Sequence, residues 1–191
     1  MLNKTFIKSL KKEYLNKTIE RRQIISASNI ILNNSKKTIF ALHRQELDVA
    51  QKLLNDNEKS IQKLIKKFTY YRLTEEGSFM AALEEYVEAK LFFNYIHKGK
   101  IEKIKEIKKL PIESYIGGLS DFTGELLRLA INESIEKNFN EVKRIKKLIT
   151  EILNELIDFD ITGPLRTKYD QARNNLKKIE QMDYEISLKN I

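Results

Sequence analysis

The stretch over residues 78–97, SFMAALEEYVEAKLFFNYIH, decides the fold of this chain. Its apolar residues recur at helical spacing and form one stripe, which consists of Phe79, Leu83, Val87 and Leu91. The opposite side is also apolar, because Phe92 and Ile96 lie there. A helix that is apolar almost all round is a buried one, so the stretch predicts a protein built around this helix.

Two carboxylates interrupt this apolar helix. Glu85 and Glu88 are three residues apart, which places them on the same side of a helix. A buried carboxylate must find a cation, strong hydrogen-bond donors or a proton, because an isolated buried charge is very unfavourable. The pair is therefore a candidate site.

A second acidic motif lies in YIGGLSDFTGELLRL, residues 115–129. Asp121 and Glu125 are four residues apart and continue into a polar stripe with Arg128 and Asn132. The glycines at 117 and 118 leave this stripe without bulky side chains one turn earlier, so a close approach to the backbone is expected there. The alternative is a solvated polar face, because 27 of the 191 residues are acidic and either motif alone is commonplace.

Two metal chemistries fit inward-pointing carboxylates on helices. Ferritin-like di-iron bundles need Glu-x-x-His motifs, and neither His43 nor His97 has a glutamate three residues earlier. An all-oxygen set suits Mg²⁺ or Mn²⁺, which activates water and neutralises charge that develops on a phosphate. The two histidines receive no role.

The remaining pattern predicts an all-α, antiparallel bundle of six or seven helices in a single domain over 1–191. Residues 2–54 predict one very long helix or two end to end, and residues 54–68 resume after a break at 55–57. A loop over 69–77 precedes the 78–97 helix, which Gly99 ends. A short basic helix over 100–110 and helices over 113–135, 139–158 and 164–188 follow, the last opened by Pro164.

Composition narrows the function classes. The 35 Lys and Arg against 27 Asp and Glu give a net charge of +8, which favours polyanion partners, although compositional bias toward lysine explains such an excess equally well. The absence of cysteine excludes disulfides, thiolate zinc sites and cysteine nucleophiles. With no apolar run long enough for a membrane span or a signal peptide, we expect a cytoplasmic protein.

The chain resembles a known family in the segments just quoted. EYVEA with the Phe-rich turn after it, and the pattern YxxGxxDxTGELxRxxxN from Tyr115 to Asn132, are similar to the translin family in its acid-bearing X-type branch. The likeness continues through ITGPLRTKYDQARNNLKKIEQMDYEISLK and spans residues 78–189. Before residue 78 only the helical character is shared.

This resemblance implies a seven-helix fold, an octameric shell and a Mg²⁺-dependent endoribonuclease that cuts single-stranded RNA. Glu85, Glu88, Asp121 and Glu125 match the X-type acids and are the implied catalytic and metal-binding residues. The family's basic, histidine-bearing stretch appears here only as TYYRL, residues 69–73, with Arg72 as its sole cation. Arg72 and Arg128 are candidate phosphate contacts, as are Arg21 and Arg22, for which the alternative is a solvated pair.

We therefore expect a metal-dependent endoribonuclease that assembles into a homo-octamer and takes Mg²⁺ or Mn²⁺. The alternative is a non-catalytic protein that binds single-stranded RNA or DNA, with acids paired to Arg128 or Lys90. A purely structural helical adaptor is the third hypothesis. Self-association is expected because the long first helices carry more apolar surface than one small bundle hides.

Overall fold

The computed structural model describes residues 2–189, which form seven α-helices and no strand. The helices are α1 (Lys4–His43), α2 (Leu47–Lys67), α3 (Tyr70–Thr74), α4 (Gly77–Lys98), α5 (Ile112–Ile135), α6 (Phe139–Ile157) and α7 (Gly163–Lys189). The all-α prediction is confirmed. Three residues of the predicted domain, Met1, Asn190 and Ile191, lie outside the described part. Within that part, no helix combines the length and apolarity that a membrane crossing requires.

Helices α4 and α5 lie at the centre of the bundle. Helix α4 packs against α1 and α2 on one side, while α5 packs against α6 and α7 on the other. The largest fully buried side chains of this centre are Tyr86, Phe79, Phe92 and Phe122. Each such aromatic side chain contributes about 1.5–3 kcal/mol on burial. The contact between α4 and α5 therefore positions the two acidic motifs rigidly.

Helices α1 and α2 pair through a seam of buried residues spaced three or four apart. The seam residues on α1 are Ile24, Ser28, Ile31, Ser35, Ile39 and Leu42, and those on α2 are Ala50, Leu54, Asn57, Ile61 and Leu64. This spacing is typical of paired helices. Asn57 donates from Nδ2 to the carbonyl of Ile31 and to Ser35 Oγ, each at 3.0 Å.

The predicted break at 55–57 is wrong, because the chain turns at 44–46 and continues as a helix through Asn57. Gln45 adopts a left-handed conformation with φ of 61°. Arg44 donates from Nε and Nη2 to the carboxylate of Glu46 at 2.9 and 2.8 Å. A turn made by a glutamine and a local ion pair carries neither the glycine nor the proline that marks most turns.

The predicted basic helix over 100–110 is also wrong. Gly99 ends α4 with φ of 68°, as expected, but an irregular segment over 99–111 follows. Its residues Ile104 and Ile107 are buried, and Glu106 lies 2.8 Å from the ammonium of Lys90 on α4. A short isolated helix is marginal in water, so these contacts with the core outweigh its helical pattern.

Smaller differences concern the ends of helices. The predicted loop over 69–77 contains the five-residue α3, capped by the Thr69 hydroxyl, which accepts from the Arg72 amide at 3.2 Å. Pro164 lies in the first turn of α7 after Gly163, whose φ is 61°, in agreement with the sequence.

The first part of α1 extends away from the bundle. Residues 2–17 are exposed throughout, including the apolar side chains of Phe6, Leu10 and Tyr14. The α1–α2 seam begins only at Ile24. The apolar surface expected from the sequence is therefore located on this projecting arm, which we define as residues 2–17.

Candidate functional site

All four acids predicted from the sequence line one cavity between α4, α5 and α7. The cavity has a volume of about 290 Å³, and its wall includes Glu85, Glu88, Asp121 and Glu125. Helix α7 adds Gln171 and Asn175. Contacts distant in sequence thus bring together two motifs that the chain separates by more than thirty residues. We call this space the carboxylate cavity.

Two glycines set the distance between α4 and α5. A Cβ atom at Gly117 would lie 2.0 Å from Glu84 Oε2, and one at Gly118 would lie 2.6 Å from the backbone carbonyl oxygen of Glu84. The close approach expected at these glycines is therefore made by α4 itself. The stripe is therefore not open at these glycines, because Glu84 and Val87 fill the space.

Cationic side chains from α1 and α7 surround the carboxylate cavity. Lys168 Nζ donates to Asp121 Oδ2 at 2.5 Å and lies 2.9 Å from Glu84 Oε1. Lys36 Nζ lies 3.6 Å from Glu85 Oε1. The site thus contains a fifth carboxylate, that of Glu84, and two lysines, Lys36 and Lys168, that were not predicted from the sequence. Nothing in the local pattern marks them, since each is ordinary on its own helix.

His43 is the partner of Glu125. Its Nε2 donates to Glu125 Oε2 at 2.5 Å, and the imidazole side chain is 5% exposed. The ring centroid lies 4.9 Å from that of Phe92, while Nδ1 is buried and has no hydrogen-bond partner among the described residues. His43 therefore belongs to the site, although no role could be assigned to it from its sequence context. His97 does not, because it is exposed and stacks on Phe93 at 5.6 Å.

Glu88 differs from the other acids of the cavity. It forms neither an ion pair nor a hydrogen bond with any residue in 2–188. Burial raises its pKa to about 9, with further contributions from the negative charges of Asp121, Glu85 and Glu125. Burial also raises the pKa of Glu85, against the opposing effect of Lys36. Lys168 opposes these effects on Glu88 only in part, so this carboxyl group lacks a direct counter-charge.

The carboxylate oxygens of the cavity are chemically suited to a hard divalent cation. Carboxylate oxygens are the ligands that Mg²⁺ and Mn²⁺ prefer, and Glu88 lacks the counter-charge that such an ion would supply. In this conformation no group of three His, Asp or Glu side chains in the described residues is close enough to hold a metal. Asp121 and Glu125 are turned toward Lys168 and His43, so metal binding requires these side chains to rotate.

The arginines predicted to contact phosphate differ in their solvent exposure. Arg72 is largely buried and donates to Glu20 and Glu76 at 3.2 and 2.8 Å, so its guanidinium is already occupied. This pairing leaves little of Arg72 for the predicted phosphate contact. Arg21 lies 3.4 Å from Glu76 but is mostly exposed.

Two arginines remain accessible. Arg22 is exposed on α1 and forms no ion pair with a described residue. Arg128 is half exposed, lies 3.8 Å from Glu125 and covers the ring of Phe40 at 5.5 Å. It therefore lies at the edge of the carboxylate cavity. Lys90, the other suggested partner of the acids, contacts Glu58 and Glu106 instead, each at 2.8 Å.

Comparisons with known proteins place these features in a family. The Translin family matches residues 19–190. An uncharacterized protein of Methanocaldococcus jannaschii is 29% identical over 167 residues, which cover 85% of this chain and 74% of that protein. Translin-associated protein X of Rattus norvegicus is 21% identical over an alignment of 224 residues, which covers 95% of this chain and 77% of the relative. Translin of Gallus gallus is 26% identical over 134 residues, covering 64% of this chain and 58% of the relative.

Solved structures share the architecture. The apo-NeC3PO and AfC3PO crystal structures each superpose with a TM-score of 0.83, at 24% and 22% identity, and each match covers 96% of this chain and 97% of the other. An AfC3PO complex with duplex RNA gives a TM-score of 0.81 at 23% identity, with the same coverage. At this identity the superpositions establish the fold. Since the family match spans most of the sequence, the chain belongs to the Translin family.

Proposed function

We propose that this protein is a metal-dependent endoribonuclease that cuts single-stranded RNA. The observation that carries the proposal is the carboxylate cavity, where four acids from two helices converge and one of them, Glu88, has no hydrogen-bond or ion-pair partner among the described residues. The net charge of +8 favours a polyanionic substrate. A relative named Translin-associated protein X and a neighbour solved with duplex RNA support a nucleic-acid substrate.

Glu85, Glu88, Asp121 and Glu125 would hold Mg²⁺ or Mn²⁺. When bound, such an ion activates water and neutralises charge that develops on the phosphate. The protein itself contributes position and charge. Lys168, released from Asp121, can contact a phosphate oxygen, and Arg128 at the rim can hold the next phosphate of the strand. Before metal binds, the hydrogen bond from His43 holds the carboxylate of Glu125.

The test uses purified protein and end-labelled single-stranded RNA with Mg²⁺, Mn²⁺ or EDTA. Wild type is expected to cut only with metal, and Glu88→Gln and Asp121→Asn are expected to lose at least about 100-fold in rate. Glu180→Gln on the exposed face of α7 is the matched control, because it removes a carboxylate outside the cavity. RNA left intact with both metals would reject the nuclease. Equal cutting by the cavity variants would reject this site.

A non-catalytic nucleic-acid-binding protein is the second candidate. It is favoured by the pairing of Glu85, Asp121 and Glu125 with Lys36, Lys168 and His43, which satisfies three of the acids without a metal. Salt-dependent binding of single-stranded RNA or DNA, without cleavage and unaffected by metal, would identify this function. Metal-dependent cutting would exclude it.

We further propose that the chain assembles into a homo-octamer. The exposed apolar residues of the projecting arm supply the surface for self-association. A cavity enclosed by such a shell would admit single strands more readily than duplexes, so duplex RNA is expected to resist cutting even where it binds. Light scattering that gives a monomer at micromolar concentration, with and without RNA, would reject the assembly and this account of selectivity.

A further inference from the structure

A second cavity lies away from the acids, where the C-terminal end of α2, the start of α3 and the irregular segment meet. It has a volume of about 460 Å³. Lys66 lines it from α2, and Lys108 and Lys109 line it from the segment that was predicted to be helical. We call it the lysine cavity. It exists because residues 99–111 run irregularly over the core rather than as a helix.

The lysine cavity has an excess of positive charge. Lys66, Lys108 and Lys109 are exposed, and none forms an ion pair with a residue in the described range. The one carboxylate in the wall, that of Glu106, is taken by Lys90 at 2.8 Å. Glu113 is near enough to Tyr70 to contribute to its raised pKa, after the larger effect of burial. Three unpaired ammonium groups therefore face one nearby free carboxylate, which favours an anionic ligand.

The wall between these charges is apolar and aromatic. Phe68 and Tyr70 contribute rings, and Ile65 and Ile107 contribute aliphatic surface. Tyr70 is 36% exposed, and its hydroxyl has no hydrogen-bond partner in the described part of the chain. The Phe68 ring is half-buried and has the Lys67 ammonium over it at 5.4 Å, so Tyr70 is the more accessible of the two rings. Aromatic rings beside lysines are the arrangement by which proteins hold a base and its phosphate without reading sequence.

The irregular segment is anchored, so the cavity is a fixed feature. Glu106 pairs with Lys90, which is 5% exposed, and Ile104 and Ile107 are buried. Lys90 is two residues after Glu88, about 200° further round helix α4. The lysine cavity therefore lies beside the face of α4 opposite to the carboxylate cavity, and the two sites are separate.

We propose that the lysine cavity binds one nucleotide of a single-stranded RNA. The base contacts the rings of Phe68 and Tyr70, and the phosphate lies among Lys66, Lys108 and Lys109. The site anchors the strand on the other side of α4 from the acids. This inference rests on the RNA-binding part of the proposed function and is independent of cleavage.

The experiment separates the charges from the rings. Binding of a fluorescein-labelled decauridylate is followed by fluorescence anisotropy in EDTA, at several salt concentrations. The double variant Lys108→Gln/Lys109→Gln is expected to bind about tenfold more weakly, with a salt slope smaller by about 0.7, since the cavity holds one phosphate and each single-strand phosphate contact contributes about 0.7. Lys177→Gln/Lys178→Gln is the matched control, because it removes an adjacent pair of exposed lysines on α7.

The ring is tested without a change of charge. Tyr70→Leu is expected to weaken binding about tenfold with an unchanged salt slope, because a stacked base is lost while the phosphate contacts remain. Tyr70→Phe keeps the ring and is expected to bind as wild type does. Circular dichroism melts of each variant show that the fold is retained.

Several outcomes would overturn the inference. One is a loss in the Lys108/Lys109 variant no larger than in the Lys177/Lys178 control. Another is full affinity in Tyr70→Leu. Uridine monophosphate binding that Tyr70→Leu abolishes, with oligonucleotide affinity intact, would assign the cavity to free nucleotides instead. If RNA binds at the lysine cavity but is never cut, only the proposed nuclease activity is rejected. If RNA is cut and none of these variants affects its binding or cutting, only the proposed binding at the lysine cavity is rejected.

Discussion

The two faces of helix α4 each carry a buried ionisable group, one a lysine and the other a glutamate, in opposite circumstances. On one face, Lys90 contacts the carboxylates of Glu58 and Glu106, and its pKa is raised because those hydrogen bonds outweigh the cost of burial. On the other face, Glu88 forms no ion pair with a described residue, and burial raises its pKa to about 9, with Asp121, Glu85 and Glu125 adding to the effect and Lys168 opposing it. A satisfied charge stabilises a fold, whereas an unsatisfied one marks a place prepared for something else.

The largest expected effect comes from Lys90→Met. Removal of the ammonium leaves Glu58 and Glu106 without their shared partner, so the free energy of unfolding is expected to fall by about 4 kcal/mol. Urea denaturation at pH 7 measures this change. Adding Glu58→Gln to Lys90→Met should recover part of the loss; a single variant as stable as wild type would contradict the structural role of this pair.

Replacing Glu88 is expected to change stability in the opposite direction. Its folded pKa of about 9 exceeds the unfolded value of 4.5, so the folded state retains a proton that the unfolded chain releases. Stability should therefore fall as the pH rises from about 4.5 to 9, by up to about 1.4 kcal/mol per unit. Glu88→Gln, without metal, is expected to be more stable than wild type by about 2 kcal/mol at pH 8, since water entry relieves part of the full linkage.

The measurement for Glu88 is urea denaturation in EDTA at pH 5 and pH 8. The advantage of the glutamine variant should nearly vanish at pH 5, where Glu88 stays protonated in the folded state. A variant that is less stable than wild type at pH 8 would show that the carboxylate has a partner after all.

A divalent cation should supply the counter-charge that Glu88 lacks and Lys90 already has. At a concentration ten times its dissociation constant, Mn²⁺ is expected to stabilise wild type by about 1.4 kcal/mol. Glu88→Gln and Asp121→Asn should gain much less, while Glu180→Gln should gain as much as wild type. Differential scanning calorimetry with and without Mn²⁺ measures the shift. Equal shifts in all four proteins would show that the ion binds outside the carboxylate cavity.

The smallest expected effect concerns Lys168. This lysine neutralises Asp121 and so competes with a cation for the same carboxylate. Lys168→Met is expected to bind Mn²⁺ about fivefold more tightly, while Lys168→Arg keeps the competition. Isothermal titration calorimetry gives both affinities. Weaker binding in Lys168→Met would instead show that the lysine orients Asp121 for the metal.

The sequence predicted the helices that bury their own apolar faces and the acids on two of them. Glu85, Glu88, Asp121 and Glu125 were found because spacing along one helix is a local property. Their partners His43, Lys36 and Lys168 could not be found, since each comes from a helix that meets the site only in the folded bundle.

The two incorrect predictions about the fold have the same origin. The turn at Gln45 contains neither glycine nor proline, and its residues Arg44 and Glu46 form a local ion pair. The segment over 99–111 has a helical pattern, yet Lys90 and the core hold it in an irregular path. Where local propensity is weak, contacts with residues distant in sequence determine the conformation, and a single sequence does not reveal those contacts.

The projecting arm of α1 has a spectroscopic consequence. Residues 4–17 are helical but exposed on every side, and a helix of that length is marginal in water without packing. The helical content of the protein should therefore depend on whether the arm is covered. The ellipticity at 222 nm would fall on dilution as subunits separate, which would make circular dichroism a direct reporter of the association constant.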